Sequence, residues 1–246
     1  MYRAYKFRLY PNDEQKILIN KTFGSSRFVY NYYLNKIKDN GYTSVYNNIS
    51  DYTNKLKYDA TFLQEVDSTV IKNSLFNLER AYKKTFSTTG EYPRFKNKYT
   101  KNSYNTTAVY SKYNGNEYST IELDLKNKLV KLPKLNWLKI RGYRNLKNIN
   151  GKIISANISK EPTGKYYVSI LYKITDVISN KLPRTIVGID LGIKKLLTLS
   201  TGKIYENNKY IAKYEKRIKR KQKELSRKIK GSENYKKCKI ELAKLL

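Results

Sequence analysis

The constraint that most narrows the fold is where the apolar periodicity changes along the chain. Strand spacing at residues 2–9 gives way to helical spacing from about 12 to 87, and strand spacing returns from about 104. In the first segment, Tyr2-Arg3-Ala4-Tyr5-Lys6-Phe7-Arg8-Leu9, basic residues alternate with aromatic and aliphatic ones, with Arg3, Lys6 and Arg8 near the polar side. Pro11-Asn12-Asp13 then opens a helix by proline, cap and early acid. Gly24 is expected to end that helix and Ser25 or Ser26 to cap a second, in which Phe28, Val29, Tyr32, Tyr33 and Ile37 recur at helical spacing up to Asn40-Gly41. Two helices about a glycine turn admit a DNA-reading helix-turn-helix over residues 12–39, or the start of an ordinary helical bundle. The neighbouring segments favour the bundle: Val45, Ile49, Tyr52 and Leu56 share one face of a third helix. Ile71, Leu75, Leu78, Tyr82 and Phe86 share one face of a fourth, with Ser68 as its cap.

Thr88-Thr89-Gly90 marks a break in composition. Beyond it, Tyr92-Pro93-Arg94-Phe95-Lys96-Asn97-Lys98-Tyr99 places basic and aromatic residues on a proline-bearing loop, suited to phosphates and stacked bases or to a solvated linker. Short strands are expected at Ser119–Leu123, Lys128–Leu132, Trp137–Arg141, Lys152–Ser159 and Lys165–Lys173, divided by turns at Asn114-Gly115, Asn150-Gly151 and Thr163-Gly164. Residues 2–9 have no strand partner nearby and are expected to join this set. The expected fold is therefore α+β and multidomain: a β-barrel of residues 1–10 and 91–182 with an all-α lobe, 11–90, inserted after its first strand, and a third domain over 183–246.

The third domain opens on an eight-residue strand, Thr185-Ile186-Val187-Gly188-Ile189-Asp190-Leu191-Gly192, followed by Ile193, Lys194 and a meander turning at Thr201-Gly202. Val187, Ile189, Leu191 and Ile193 share one face; Asp190 stands between Gly188 and Gly192 on the other. An ionised carboxylate in an apolar strand needs a partner, a hydrogen bond or a metal, unless it is a solvated strand edge. Glycines on both sides leave room for something bulky such as a phosphate backbone. A helix over 208–230 follows, in which 11 of the 22 residues from Lys209 to Lys230 are Lys or Arg. With few acids for pairing along the helix, Lys216, Arg217, Arg220 and Lys221 read as contacts to a nucleic-acid backbone rather than as a merely solvated face. Gly231-Ser232 breaks it before a last helix.

Fifty-one Lys and Arg against 20 acids give a net charge of +31. Such an excess favours a compact state only when a polyanion neutralises it, so nucleic acid is the expected partner, with salt-dependent binding. The 25 tyrosines suit base stacking beside phosphate contacts. One cysteine excludes a disulfide framework, and with no histidine an all-protein zinc site is implausible; any catalysis must use carboxylate, lysine, tyrosine or metal. With no apolar run long enough for a bilayer and no signal-peptide pattern, no membrane role is expected, and the protein is placed in the cytoplasm, at the nucleoid when bound to DNA.

In order along the sequence, Ala4-Tyr5-Lys6-Phe7-Arg8-Leu9-Tyr10-Pro11 with Glu14-Gln15, Phe23-Gly24 with Arg27-Phe28-Val29-Tyr30-Asn31, Tyr92-Pro93-Arg94-Phe95-Lys96, Leu132-Pro133-Lys134-Leu135, Gly164-Lys165-Tyr166-Tyr167-Val168-Ser169 and Val187-Gly188-Ile189-Asp190-Leu191-Gly192 resemble the TnpB/OrfB family. These are RNA-guided DNA endonucleases carried by insertion sequences, known also as transposase accessory proteins and related to type V CRISPR effectors. The resemblance implies a wedge-type barrel split by a helical recognition lobe, then a RuvC-like domain of RNase H fold. Its implied partners are a guide RNA from the transposon end and target DNA, and its implied cofactor is Mg²⁺. It places the family's first catalytic carboxylate, a metal ligand, on Asp190. Arg3, Lys6, Arg8, Arg27, Tyr30, Arg94, Phe95, Lys96, Lys98 and Lys194 are candidate nucleic-acid contacts beside those of the basic helix.

The family's second and third carboxylates and its zinc ribbon have no counterpart here, so the RuvC-like domain is expected to be incomplete and the protein truncated at its C-terminus. Two-metal cleavage needs several carboxylates holding cations together. Glu206, Glu215, Glu224, Glu233 and Glu241 all read as loop or helix surface. The expected function is guided nucleic-acid binding without nuclease activity of its own. The alternatives are a Mg²⁺-dependent endonuclease completed by a second polypeptide, a helix-turn-helix DNA regulator, and an inert relic.

Overall fold

A computed structural model describes residues 1–41, 49–87, 90–99, 102–142, 151–174 and 186–246. The chain divides into two units, residues 1–176 and 177–246. Val45, Thr88-Thr89, Asn150, Pro183 and Thr185 lie outside the described residues, as do the side chains of Ile49, Tyr52 and Ile211.

In the first unit the N-terminal strand β1 (Tyr2–Tyr10) sits inside a seven-stranded antiparallel sheet. The other strands are β2 (Asn102–Thr107), β5 (Glu122–Asp124), β6 (Leu129–Leu132), β7 (Asn136–Arg141), β8 (Gly151–Lys160) and β9 (Tyr166–Ile174), in the order β2-β8-β9-β1-β7-β6-β5. β1 pairs with β9 from Tyr2 opposite Lys173 to Leu9 opposite Tyr166, and its last residues pair with β7. The expected partnership of residues 2–9 with the later strands is thus formed. Pleating sends Phe7 and Leu9 of β1, and Tyr166, Val168, Ile170 and Tyr172 of β9, into one core. Lys6 and Arg8 take the opposite face. Arg3 has the parity of Phe7 and so does not share their face, contrary to the expectation of one basic side.

Three helices complete the unit: α1 (Asp13–Asn40), α2 (Ile49–Asp59) and α3 (Ser68–Ser87), with a short 3-10 helix at Thr61–Glu65 between the last two. Ile19 and Phe23 of α1 and Val70 of α3 pack into the sheet's core. A second core joins Val29, Tyr30, Tyr33 and Leu34 of α1 to Leu56, Leu63, Val66, Ile71, Leu75, Leu78 and Tyr82. The expected break at Gly24 is corrected here: α1 is one helix of 28 residues. An interior glycine costs only about 1 kcal/mol relative to alanine, whereas burying an aliphatic or aromatic side chain gains about 1.5–3 kcal/mol. The buried positions Ile19, Phe23, Tyr30 and Leu34 keep helical phase straight through Gly24. The two-helix reading of residues 12–39, and with it the groove-reading second helix, loses its turn.

The start of α3 also differs from expectation. Asp67, not Ser68, caps it, accepting from the Thr69 N–H at 3.0 Å and from the hydroxyls of Thr69 and Thr106 at 2.6 and 2.5 Å. That bond to Thr106 ties α3 to β2, a strand of sequence NSYNTT whose buried residues are Tyr104 and Thr106. Between β2 and β5 lies a hairpin, β3 (Tyr110–Tyr113) and β4 (Asn116–Ser119), turning at Asn114-Gly115 with φ of 47° and 77°. Both central residues are left-handed, as a two-residue hairpin turn requires.

The second unit holds an antiparallel three-stranded sheet in the order β10-β11-β12 (Ile189–Leu191, Lys195–Leu199, Ile204–Glu206) and two helices, α4 (Tyr210–Ser226) and α5 (Glu233–Leu245). The expected long strand around Asp190 is thus three residues in regular pairing. Glu206, expected in a loop, closes β12 opposite Lys195. Among the described residues no helix is long and apolar enough to cross a membrane.

Candidate nucleic-acid interface

The basic-aromatic loop of residues 90–99 is held against α1. The Asn31 amide donates to the Lys96 carbonyl and accepts from the Lys96 N–H, each at 2.8 Å, pairing with that residue as a neighbouring strand would. Thr85 of α3 donates to the Glu91 carbonyl at 3.0 Å. Lys96 Nζ lies 3.8 Å from the centre of the buried Tyr30 ring, and partial burial holds its ammonium below the ordinary lysine pKa. Lys38 Nζ lies 4.5 Å from the Phe95 ring centre and Lys98 Nζ 5.3 Å from that of Tyr99. Arg94 is tied to Glu91 at 2.7 Å. Arg27 donates to the Asn102 side chain at 2.8 Å, so it bridges α1 and β2. Of the expected contacts in this unit, then, Phe95, Lys96 and Lys98 share one loop, Tyr30 lies beneath it as a packing surface, and Arg27 is engaged within the fold.

Elsewhere in the same unit Lys6 stands 4.4 Å over the Tyr167 ring and 4.0 Å from Glu161, and Arg8 stands 4.9 Å over Tyr10. Arg8 Nε is buried without a hydrogen-bond partner. Arg3 is exposed at the start of β1. Sequence reasoning passed over Lys38 and gave Asn31 no role of its own. Their separation of seven residues puts both on one face of α1, a spacing already present in the helix expected from Ser25 or Ser26 to Asn40.

In the second unit Asp190 is exposed on β10, opposite Thr198 of β11. The flanking glycines have local explanations. A Cβ on Gly192 would stand 2.9 Å from the Lys195 carbonyl oxygen, so the hairpin itself requires glycine there. One on Gly188 would make ordinary contact, 3.5 Å from Ser200 Cβ. Gly188 is held by the Ser200 hydroxyl, which accepts its N–H at 3.0 Å. Among the described residues no three acidic, cysteine or histidine side chains cluster as a metal site would require. The described residues therefore do not fit a pair of Mg²⁺ ions, and Asp190 by itself offers one monodentate or bidentate ligand at most.

On α4 the two acids are both engaged. Glu215 pairs with Lys219 at 2.7 Å, and Glu224 and Glu241 hold Lys221 at 2.8 and 2.6 Å, joining α4 to α5. Those carboxylates raise the Lys221 pKa, and Lys221 in turn lowers that of Glu224. Lys221 is thus a link between helices. Lys216 and Arg217 are exposed, and among the described residues no carboxylate lies within ion-pair distance of either. Arg220 is exposed near Glu224, and Lys194 is exposed between β10 and β11.

Residues 1–43 match a family model described as "Helix-turn-helix domain" of the OrfB proteins of IS605, and residues 169–246 match its "Probable transposase" model. InsQ of Escherichia coli (strain K12), named for RNA-guided DNA endonuclease activity, is 31% identical over 99% of this chain and 58% of its own length. A Streptomyces pristinaespiralis protein named for the same activity is 30% identical over 99% of this chain and 59% of its own. The chain thus spans under two thirds of the length of either relative. A chain of the Cas12f1-sgRNA-target DNA complex superposes over 93% of this chain and 62% of itself with a TM-score of 0.36 at 14% identity.

Proposed function

We propose that this chain is a member of the TnpB/OrfB family of insertion-sequence proteins, supported by the two matching family models and the relatives at 30–31% identity, and that these 246 residues form a nucleic-acid-binding part that engages a guide RNA and target DNA in the bacterial cytoplasm without cleaving by themselves. The observation that carries the binding half is the exposed cationic face of α4, where Lys216 and Arg217 have no acid in ion-pair range among the described residues. Cations left unpaired on a chain of net charge +31 repel one another until phosphates neutralise them. In this reading the seven-stranded sheet is the wedge-type module, the helices are the recognition lobe, and residues 183–246 are a RuvC-like portion. The non-cleaving half rests on Asp190 having no carboxylate cluster among the described residues.

A specific observation favours a second reading, completion by another polypeptide: the apolar residues flanking Asp190, Ile186, Leu191 and Ile193, are all exposed. A strand from a second polypeptide would cover them and bring further carboxylates to Asp190.

Titrating the purified protein into a labelled structured RNA at several salt concentrations tests the binding. Log affinity should fall linearly with log salt, and Lys216→Gln with Arg217→Gln should flatten the slope by about 1.8 for duplex contacts. Affinity indifferent to salt sinks the proposal. Incubation of guide, target and Mg²⁺ with wild type and with Asp190→Ala should give no cleavage from either; cleavage by wild type that Asp190→Ala abolishes would remove the non-cleaving half.

A further inference from the structure

The loop of residues 90–99 has no regular secondary structure, yet it displays three large rings to solvent. Tyr92 is 70% exposed, Phe95 47% and Tyr99 72%. Flexible loops lose such rings into the nearest core; here the backbone is fixed at two points, by the paired hydrogen bonds of Asn31 to Lys96 and by Thr85 to Glu91. The rings are therefore held outward on a rigid support. Two of them carry an ammonium against the ring, Lys38 on Phe95 at 4.5 Å and Lys98 on Tyr99 at 5.3 Å. The loop's acid, Glu91, is spent on Arg94 at 2.7 Å.

We propose that this loop is a stacking platform for an unpaired strand of nucleic acid, with Asn31 as its positioning residue. The proposal rests on the reading of the chain as a nucleic-acid binder and names what this one surface takes. Rings can stack only on base faces that no neighbouring base covers, and every base has such a face, so the preference is for single strands and is tolerant of sequence. The adjacent ammoniums reach the phosphates on either side of a stacked base. A duplex shows phosphates and base edges, which lysines alone would satisfy and exposed rings would not serve.

The test uses the protein of residues 1–246 and three fluorescent probes: a 12-nucleotide oligouridine, a 12-nucleotide oligodeoxyuridine and a 12-base-pair duplex. The triple variant Tyr92→Leu, Phe95→Leu, Tyr99→Leu keeps every charge. It should weaken single-strand binding roughly tenfold or more, leave the salt slope unchanged, and hold duplex affinity within about twofold. Loss on both oligonucleotides assigns unpaired strands of either sugar; loss on one assigns that sugar. Asn31→Ala, with its rings intact, should show the same split at an unchanged melting temperature, and Asn31→Asp, which keeps the acceptor for the Lys96 N–H, should recover part of it. Equal loss on single strands and duplex, or no loss on any probe, overturns the platform while leaving general binding in place. Wild type that binds none of the three removes both the platform and the reading beneath it.

Discussion

In β9 the side chains of Tyr166, Val168, Ile170 and Tyr172 repeat at every second residue and are all buried. Around β10 the same spacing carries Ile189, Leu191 and Ile193, which are 63%, 77% and 87% exposed. Both segments alternate, so the difference lies in what covers the apolar face. For β9 the cover comes from far away in sequence, Ile19 and Phe23 of α1 and Val70 of α3. β10 lies at the edge of a three-stranded sheet, and its own apolar side chains remain open. Period-2 alternation therefore marks a face that needs cover, and only tertiary structure supplies it.

The sharpest way to break this comparison is to truncate one side chain in each strand. Ile170→Ala leaves a cavity in a core with no exposure to absorb it, and should lower unfolding free energy by about 2–5 kcal/mol. Leu191→Ala removes atoms already in water, and should change it by no more than about 0.5 kcal/mol. Urea unfolding of the two variants decides it: comparable losses would mean that β10 is covered in solution, which would favour the reading in which a second polypeptide completes this face.

A smaller effect separates the two glycines beside Asp190. Gly192→Ala drives a methyl to 2.9 Å from the Lys195 carbonyl, backbone that has little room to give, whereas Gly188→Ala meets Ser200 at ordinary contact distance. The first should destabilise the hairpin by about 1–3 kcal/mol, read as faster amide exchange across β11, and the second should leave exchange nearly unchanged. Equal tolerance of both would return the glycines to the role suggested by sequence, clearance for a phosphate backbone.

Much of the sheet was legible because its strands alternate and its turns carry their own chemistry, as Thr163-Gly164 does between β8 and β9, with Gly164 at φ 81°. β2 was not, because NSYNTT carries no apolar run; its burial depends on Asp67 and Asn73 of the helical layer satisfying Thr106, Asn105 and Thr107. Gly24 suggests a break in α1, but Ile19, Phe23, Tyr30 and Leu34 keep unbroken helical phase through it. The suggested break does not hide the common face of Asn31 and Lys38, since both fall within the helix expected from Ser25 or Ser26 to Asn40; their role is invisible in sequence because it depends on the loop of residues 90–99 docking against that face. The basic loop and the basic helix could be picked out by composition. Composition could not tell Lys216, which stands in solvent, from Lys221, whose partner Glu241 lies twenty residues on.

That last contrast predicts the mildest effect, a pH dependence confined to the α4–α5 hairpin. Lys221 and Glu224 move in opposite directions: the lysine is raised above its ordinary 10.5 and the glutamate lowered below its ordinary 4.5, each chiefly by their mutual hydrogen bond or, for Lys221, by Glu241 as well. For the depressed glutamate the stabilisation is complete above about 4.5 and is lost as pH falls through the lowered value; for the raised lysine it is complete below about 10.5 and is lost as pH climbs through the raised one. The hairpin should be tightest across the interval between those limits. Cys238 reports on it, being buried with its Sγ 3.9 Å from the Lys221 carbonyl. Its labelling by 4,4′-dithiodipyridine, which reacts with thiols in acid, should quicken by a few-fold at most as pH drops below the glutamate range. In Glu224→Gln the rate should already be raised at neutral pH and the acid step reduced, whereas Lys216→Gln should keep the wild-type profile. A profile that Glu224→Gln leaves untouched would mean that the bridge from Lys221 to Glu241 and the packing around Cys238 hold the α4–α5 contact without help from Glu224.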